Sequence, residues 1–398
     1  MKILIIAQDL RVSGTSEGIV SRSFILRLRK LYPQAVIDLF YFMGYEHDYD
    51  KELLGVNTIS EYIIKRKPPY YVKLVNALYR RVFIKSIYKS YYLRKFKNII
   101  TKIPYENYDQ VFIRSSGVEY ETILACKRLP ILRKAIINFH DPYPFFFDTS
   151  SNKELTKREL LDFREMYEVI QLAKACTTPS SLLSKDLQVI YGNRKKFYTL
   201  PHQYDANVFN LKNNSLVRKK EKKISISYHG GLQFGRNLDV LLDAFVELCD
   251  ENENIRKEVE MVFRLKSSEN DRLKEKYSKY KNIHILDGLN FSNSANEQIN
   301  ESDIIIMLES YLDYSNILLG KAPFIASLNK PVFALLPSEC ELRQIIKNED
   351  YITTSNDSIE IKKKLSNLIA GFSSAPIENP FDDYFSLEQF KNKLEITN

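Results

Sequence analysis

Short apolar, β-branched runs alternate with stretches of helical period along almost the whole chain, and no other feature limits its fold so tightly. The first set of runs is Ile3–Ala7, Val36–Tyr41, Gln110–Arg114, Ala135–Phe139, Ala175–Thr178 and Phe197–Leu200. Apolar residues at three- and four-residue spacing fill the intervals, as in Ile19–Leu31 and Glu154–Leu172, and predict helices there. After Phe209 the alternation stops in NLKNNSLVRKKEKK, which is polar, charged and aperiodic and reads as a linker. It restarts with Ile224–Tyr228, Val259–Leu265, Ile283–Leu286, Asp303–Leu308 and Pro331–Leu335. Runs such as IIIML are apolar without interruption, as parallel strands must be when helices cover both faces of the sheet. The pattern predicts two doubly wound α/β domains joined near residues 205–222. In such sheets ligands lie beyond the carboxyl ends of the strands, so the residues after each run are where chemistry is expected.

Three of these strand ends stand out. QDLRVSGTSEGIV follows the first run, and its polar loop, with Ser13, Gly14 and Thr15, is expected to fold over a substrate. It contains no GxGxxG, so a dinucleotide fingerprint is not supported. HDPYPFFFD follows Ala135–Phe139 and sets His140 and Asp141 at the end of a buried strand. A lone histidine is often structural, and Asp141 can alternatively cap the next turn. In the second half, SYHGGLQFGRNLDVLLDAF places three of the chain's 12 glycines between a strand and a helix. Glycine lets backbone approach phosphate, and a helix N-terminus favours negative charge. Gly230, Gly231 and Arg236 lie in this strand-end loop, Arg264 and Lys266 at the end of the run Val259–Leu265, and the polar pair Ser315 and Asn316 precedes an apolar helix pattern with Lys321 further along it. Two converging cations with glycine N–H groups suit a diphosphate.

Composition removes other classes. The four cysteines are far apart with no CxxC, and the five histidines show no paired spacing, so neither zinc nor a disulfide framework is indicated. MKILIIAQD meets a charge too early for a signal peptide, and no run is long enough to span a bilayer. The chain reads as reduced, cytoplasmic and metal-independent. An Asp48/Asp50 pair occurs, but in the polar stretch YEHDYDKE, and reads as a solvated loop. The net charge of +8 is concentrated: residues 62–102 carry twelve cations, among them Arg80, Arg81, Lys85 and Lys89, and no acid. Tyrosine and aliphatic residues recur among them at helical spacing, as in a helix lying on an anionic membrane surface. A pair of ordinary solvated helices is the plainer reading. No RNA- or DNA-binding module accompanies the segment, so nucleic acid is not an expected partner.

At this point the residues resemble a family, the GT-B glycosyltransferases of the group 1 (family 4) type, through degenerate motifs spread over nearly the whole chain. KFYTLPHQYDANVF is similar to the family's domain junction. SYHGGLQFGRNLDVLLDAF is similar to its phosphate loop, with Gly230 on the glycine and Arg236 on the lysine. KAPFIASLNKPVFAL is similar to the helix and strand that carry Lys321, and NFHDP to the strand end that carries the active-site histidine, here His140. FSLEQFKNKL is similar to a terminal helix that crosses back to the first domain. Two departures stand out: Gly231 replaces an arginine, and the family's glutamate pair falls on Asn316 and Phe324.

The resemblance implies two Rossmann-like domains facing a cleft. An acceptor domain spans 1–205 with the basic segment 62–102, a linker 206–222, a nucleotide-sugar domain 223–375, and 376–398 packs back on the first. It implies transfer of a sugar from a UDP- or GDP-linked donor, without cofactor or metal, to a glycan or lipid-linked acceptor at the inner face of the membrane. Arg236 and Lys321 would neutralise the departing diphosphate, and His140 would bond the sugar or act as base. The missing glutamates keep open a non-catalytic nucleotide-sugar-binding or scaffold subunit. A sugar-nucleotide epimerase is a further alternative, one with no use for the basic segment.

Overall fold

The structure, a computed structural model, describes residues 1–65, 67–84, 86–116, 119–145, 154–233, 235–310, 312–372 and 379–397. The chain forms two compact units, Met1–Val208 with Ser386–Asn398, and Phe209–Phe385.

The first unit is built on seven strands: β1 (Lys2–Ala7), β2 (Val36–Met43), β3 (Thr58–Ile63), β4 (Gln110–Arg114), β5 (Ala135–Asn138), β6 (Ala175–Thr178) and β7 (Phe197–Thr199). They form one parallel sheet in the order β3-β2-β1-β4-β5-β6-β7. Its helices are α1 (Ser16–Leu31), α2 (Tyr70–Phe83), α3 (Ile87–Ile100), the short α4 (Glu121–Ala125), α5 (Lys157–Leu172) and α6 (Ser181–Tyr191). β1 and β4 are buried on both faces, as their uninterrupted apolar sequence requires. Leu4, Ile6, Val111 and Ile113 join the core on one side of the sheet, and Ile3, Ile5 and Phe112 the core on the other. Into the second of these cores the final helix, Leu387–Glu395, inserts Phe390 and Leu394. The Phe390 ring meets Phe24 of α1 edge-on at 5.6 Å.

The second unit repeats the plan with β8 (Ile224–Gly230), β9 (Val259–Leu265), β10 (Ile283–Asp287), β11 (Ile304–Leu308), β13 (Val332–Leu335) and β15 (Ile352–Thr353) in the parallel order β10-β9-β8-β11-β13-β15. A separate two-residue ladder joins β12 (Tyr314–Ser315) to β14 (Glu339–Cys340). The first helix, α7 (Asp239–Glu251), buries Leu241, Leu242, Phe245 and Leu248 against this sheet. In both sheets the strand order reverses beside the first strand, between β1 and β4 and between β8 and β11. Crevices at such reversals receive ligands.

The stretch read as a linker is held down by its charges. Arg218 bonds Glu260 and His284, Lys219 pairs with Glu301 at 2.7 Å, and Lys220 with Asp303 at 3.0 Å. These partners lie in β9, in β10, at the end of the helix Phe291–Glu301 and just before β11, so this run is tied to the second unit.

The basic segment divides. α3 turns Tyr92, Phe96 and Ile100 into the first core. Lys89, grouped by sequence with the membrane cations, is turned onto α5 instead, where it bonds Asp162 at 2.6 Å and Tyr143 at 2.9 Å. α2 buries Val72 alone. Its Tyr71, Leu74, Val75, Leu78 and Val82 fall on one face and are between 51% and 67% exposed, with Lys73, Arg80 and Arg81 also exposed. Lys85 lies outside the described residues.

Candidate functional site

At the carboxyl edge of the second sheet, β8 and β11 pair over Ile226–Ile304 and Ser227–Ile305. Both strands run on beyond that point, and the polar groups gather there. Lys321 donates to the His229 carbonyl at 2.8 Å, and its amine lies 4.1 Å from the centre of the Tyr228 ring. Arg236 stands beside the Tyr228 hydroxyl, and its Nε has no partner among the described residues. Burial, with Arg236 adding to it, lowers the Lys321 pKa to about 7. Among the described residues no acid is bonded to either cation.

Gly230 serves this cluster by what it lacks. A Cβ there would come 2.7 Å from Lys321 Nζ and 2.8 Å from Tyr228 Oη. It ends the strand, and α7 begins nine residues later at Asp239, so a loop carrying Arg236 separates the glycine pair from the helix. The turn conformation is supplied by Gly235, at φ +76°.

The other donor-site candidates separate. Ser315 and Asn316 are buried, and Ser315 lies beside Glu309, a residue the sequence reading passed over. Glu309 directly follows the apolar run of β11, and an acid in that place is the one signal that could have flagged it. Burial raises its pKa to about 7, with Ser315 and Arg236 opposing and Glu341 adding. Arg264 is engaged elsewhere: it bonds Glu297 through Nε at 2.8 Å and Nη2 at 2.6 Å. Glu297 also stands 3.5 Å from His229 Nε2. Burial, with Arg264 and Lys321 nearby, lowers the His229 pKa to about 3, so the ring is neutral. Lys266 is exposed.

In the first unit His140 is buried behind β5, its ring 4.4 Å from that of His202. Its Nε2 is 3.7 Å from Glu17 Oε1 in the first turn of α1. One ligand atom from each of Glu17, His140 and Asp141 falls within 4.8 Å of the others, a spacing at which the three could hold a metal ion. Burial raises the Asp141 pKa, His140 lowers it and Glu17 raises it. Its carbonyl accepts from the Tyr120 hydroxyl. Neither Glu17 nor His202 was singled out from sequence: Glu17 follows no strand run directly, and the position of His202 two residues beyond Phe197–Leu200 is the signal that could have found it.

The loop Ser13–Gly14–Thr15 leads into α1, with Gly14 at φ +93° and Thr15 Oγ1 buried without a partner among the described residues. Gly18 is obligatory for its folding, since a Cβ there would meet the Arg11 carbonyl oxygen at 2.3 Å. A cavity of about 320 Å³ opens nearby, lined by Gln8, Arg11, Tyr41, Tyr45, His47 and Glu119 among others. That is at the small end of ligand pockets.

No protein-family model matches the chain, and no curated protein sequence matches it. Solved structures do. HepE from Anabaena, in complex with UDP and glucose, aligns at TM-score 0.60 and 12% identity over 100% of this chain and 99% of that one. Sucrose-phosphate synthase from Thermosynechococcus elongatus aligns at 0.60 and 12% over 100% of both chains. UDP-GlcNAc 2-epimerase from Neisseria meningitidis, bound to UDP-GlcNAc, aligns at 0.57 and 14%, again over 100% of both. At such identities the likeness defines the fold: two Rossmann-like domains of the GT-B architecture.

Proposed function

We propose that the protein is a glycosyltransferase. It moves a sugar from a UDP- or GDP-linked donor to a glycan or lipid-linked acceptor at the cytosolic face of the membrane, in the assembly of a bacterial surface polysaccharide. The observation that carries this reading is the cluster of Lys321, Arg236 and Gly230 at the strand-order reversal of the second sheet. Two cations without an acid bonded to them among the described residues suit a diphosphate, and they stabilise the negative charge that develops as it leaves. The UDP complexes among the structural neighbours support the same ligand class.

His140 is assigned to the reacting sugar. With Glu17 3.7 Å away its imidazole can take a proton from an acceptor hydroxyl and hold the resulting charge. No described helix is long and apolar enough to cross a membrane. The exposed apolar face of α2, edged by Lys73, Arg80 and Arg81, is assigned to a peripheral, salt-sensitive contact with an anionic bilayer. That assignment favours transfer to a membrane-borne acceptor over epimerisation of a free nucleotide sugar, although epimerases share the fold.

Calorimetry with UDP and with GDP tests the donor site. Wild type should bind one of them, and Arg236→Ala and Lys321→Ala should each weaken binding by about 1–3 kcal/mol, the range for a lost charge-assisted contact. If neither nucleotide binds the wild-type protein, the assignment is wrong.

A further inference from the structure

Proton transfer to His140 calls on Glu17 to support one imidazolium, and Asp141 brings a second carboxylate that this step does not need. Glu17 is placed by the first turn of α1, where Gly18 brings the backbone against the Arg11 carbonyl. His140 and Asp141 come shortly after β5, and the Tyr120 hydroxyl fixes the backbone there by donating to the Asp141 carbonyl. The His202 ring backs that of His140 at 4.4 Å. One ligand atom from each of the three residues is thereby held within 4.8 Å of the others.

Two features separate this trio from an ordinary ion pair. His140 is 5% exposed, yet neither ring nitrogen makes a hydrogen bond among the described residues, and Nε2 only approaches Glu17 Oε1, at 3.7 Å. The two carboxylates stand close enough for their charges to oppose each other, and no Lys or Arg pairs with either among the described residues. Like charges gathered in a largely buried place are unfavourable, and so is a polar side chain left unbonded there. One divalent ion would remove both costs. Ligand atoms about 2.0–2.2 Å from a tetrahedral ion stand about 3.4 Å from one another, so the 3.7 Å gap needs little movement to close on it. An imidazole with two carboxylates favours a borderline ion such as zinc over magnesium or calcium, which take oxygen ligands.

We propose that Glu17, His140 and Asp141 form a binding site for a divalent transition ion, and that its occupancy switches sugar transfer off. The ion takes the Nε2 lone pair that His140 needs to accept a proton from the acceptor hydroxyl, so base and ion compete for one atom. The switch rests on the role assigned to His140 in transfer, and the binding site does not.

Calorimetry with zinc chloride and with magnesium chloride, on wild type, Glu17→Gln and Asp141→Asn, measures the binding. Wild type should take up one zinc ion per chain and no magnesium at the same concentration, and each variant should bind zinc about tenfold or more weakly. Zinc should also raise the melting temperature of wild type more than that of either variant. No zinc uptake by wild type, or uptake that both variants keep, overturns the site. Melting without metal identifies a variant that fails to fold, and the other then carries the comparison. Turnover on membranes, followed with zinc and then with excess chelator, tests the switch. Wild type should lose about 10²-fold in rate, the contribution of a positioned base, and recover it with the chelator. Undiminished turnover by zinc-loaded protein overturns the switch and leaves the site standing. No turnover even without zinc overturns the switch together with the glycosyltransferase reading, and the calorimetry still decides the site.

Discussion

At the carboxyl edge of the first sheet the Arg22 guanidinium donates to the carbonyls of Leu10, Tyr49, Asp50 and Val208. Nearby, Arg114 Nε donates to Ser21 Oγ, Gln8 is held by Glu121 and Thr122, and Asp9 by Arg11 and Ser116. At the matching edge of the second sheet, Ser227 Oγ, Arg236 Nε and Asn270 Oδ1 lack partners among the described residues. Each such group costs about 1–3 kcal/mol. Thr15 Oγ1 apart, the first edge spends these polar groups on folding, and the second leaves more of them for something that arrives later. Cations occur at both edges, so charge alone does not mark the binding edge. Unfilled hydrogen-bonding capacity does.

The contrast is tested by removing one buried cation from each edge. Arg22→Met should destabilise by about 3–5 kcal/mol, because it orphans four carbonyls and an interior packed around a charge. Lys321→Met should do the opposite. Its pKa in the folded protein, about 7, lies below the ordinary lysine value, so its penalty is full below pH 7 and fades as pH rises toward 10.5. The variant should therefore gain on the order of 2 kcal/mol at pH 6, with the gap closing by pH 10. Thermal melts across pH measure both, and a loss of stability in both variants breaks the comparison.

His140→Ala probes the one group at the first edge assigned to chemistry. Turnover on membranes should fall by about 10²-fold or more, the usual contribution of a positioned base, while UDP or GDP affinity and the melting temperature stay near wild type. A large fall in melting temperature would return His140 to the structural role its burial also permits. The smallest effect concerns α2. Arg80→Ser with Arg81→Ser should weaken binding to anionic liposomes by about 1 kcal/mol per cation, and Leu78→Ser should weaken it further. Equal co-sedimentation of these variants and wild type at low salt would remove the membrane contact.

The sequence carries the parallel core openly, because strands covered on both faces must be apolar throughout: β4, β6 and β9 span the runs expected of them. It hides β3, an edge strand whose Glu61 bonds Tyr49 and whose alternation is too weak to read. It also hides β12, β14 and β15, which are two residues long. At the donor site Gly230, Arg236 and Lys321 could be picked out, since each follows a visible strand or opens a visible helix. Arg264 could not be separated from them, because its partner Glu297 lies 33 positions away in the chain. Glu309 was legible as an acid at a strand end, but its burial beside Ser315 and Arg236 is a three-dimensional fact. α2 and α3 make the same point: Val75, Leu78 and Val82 repeat like Leu93, Phe96 and Ile100, and only the fold turns one stripe inward.

The helix Leu387–Glu395 makes the first unit discontinuous, and this bears on the order in which a ribosome can deliver the parts. All of 209–385 emerges before Phe390 and Leu394 exist, so the second unit has its complete complement of residues while the first still lacks two side chains of its core. Through that interval the places these two side chains will fill, against Phe24 and its neighbours, are bare apolar surface on a nascent chain. Such surface is what aggregates, and what chaperones hold, during synthesis. The unit made first is thus the unit finished last.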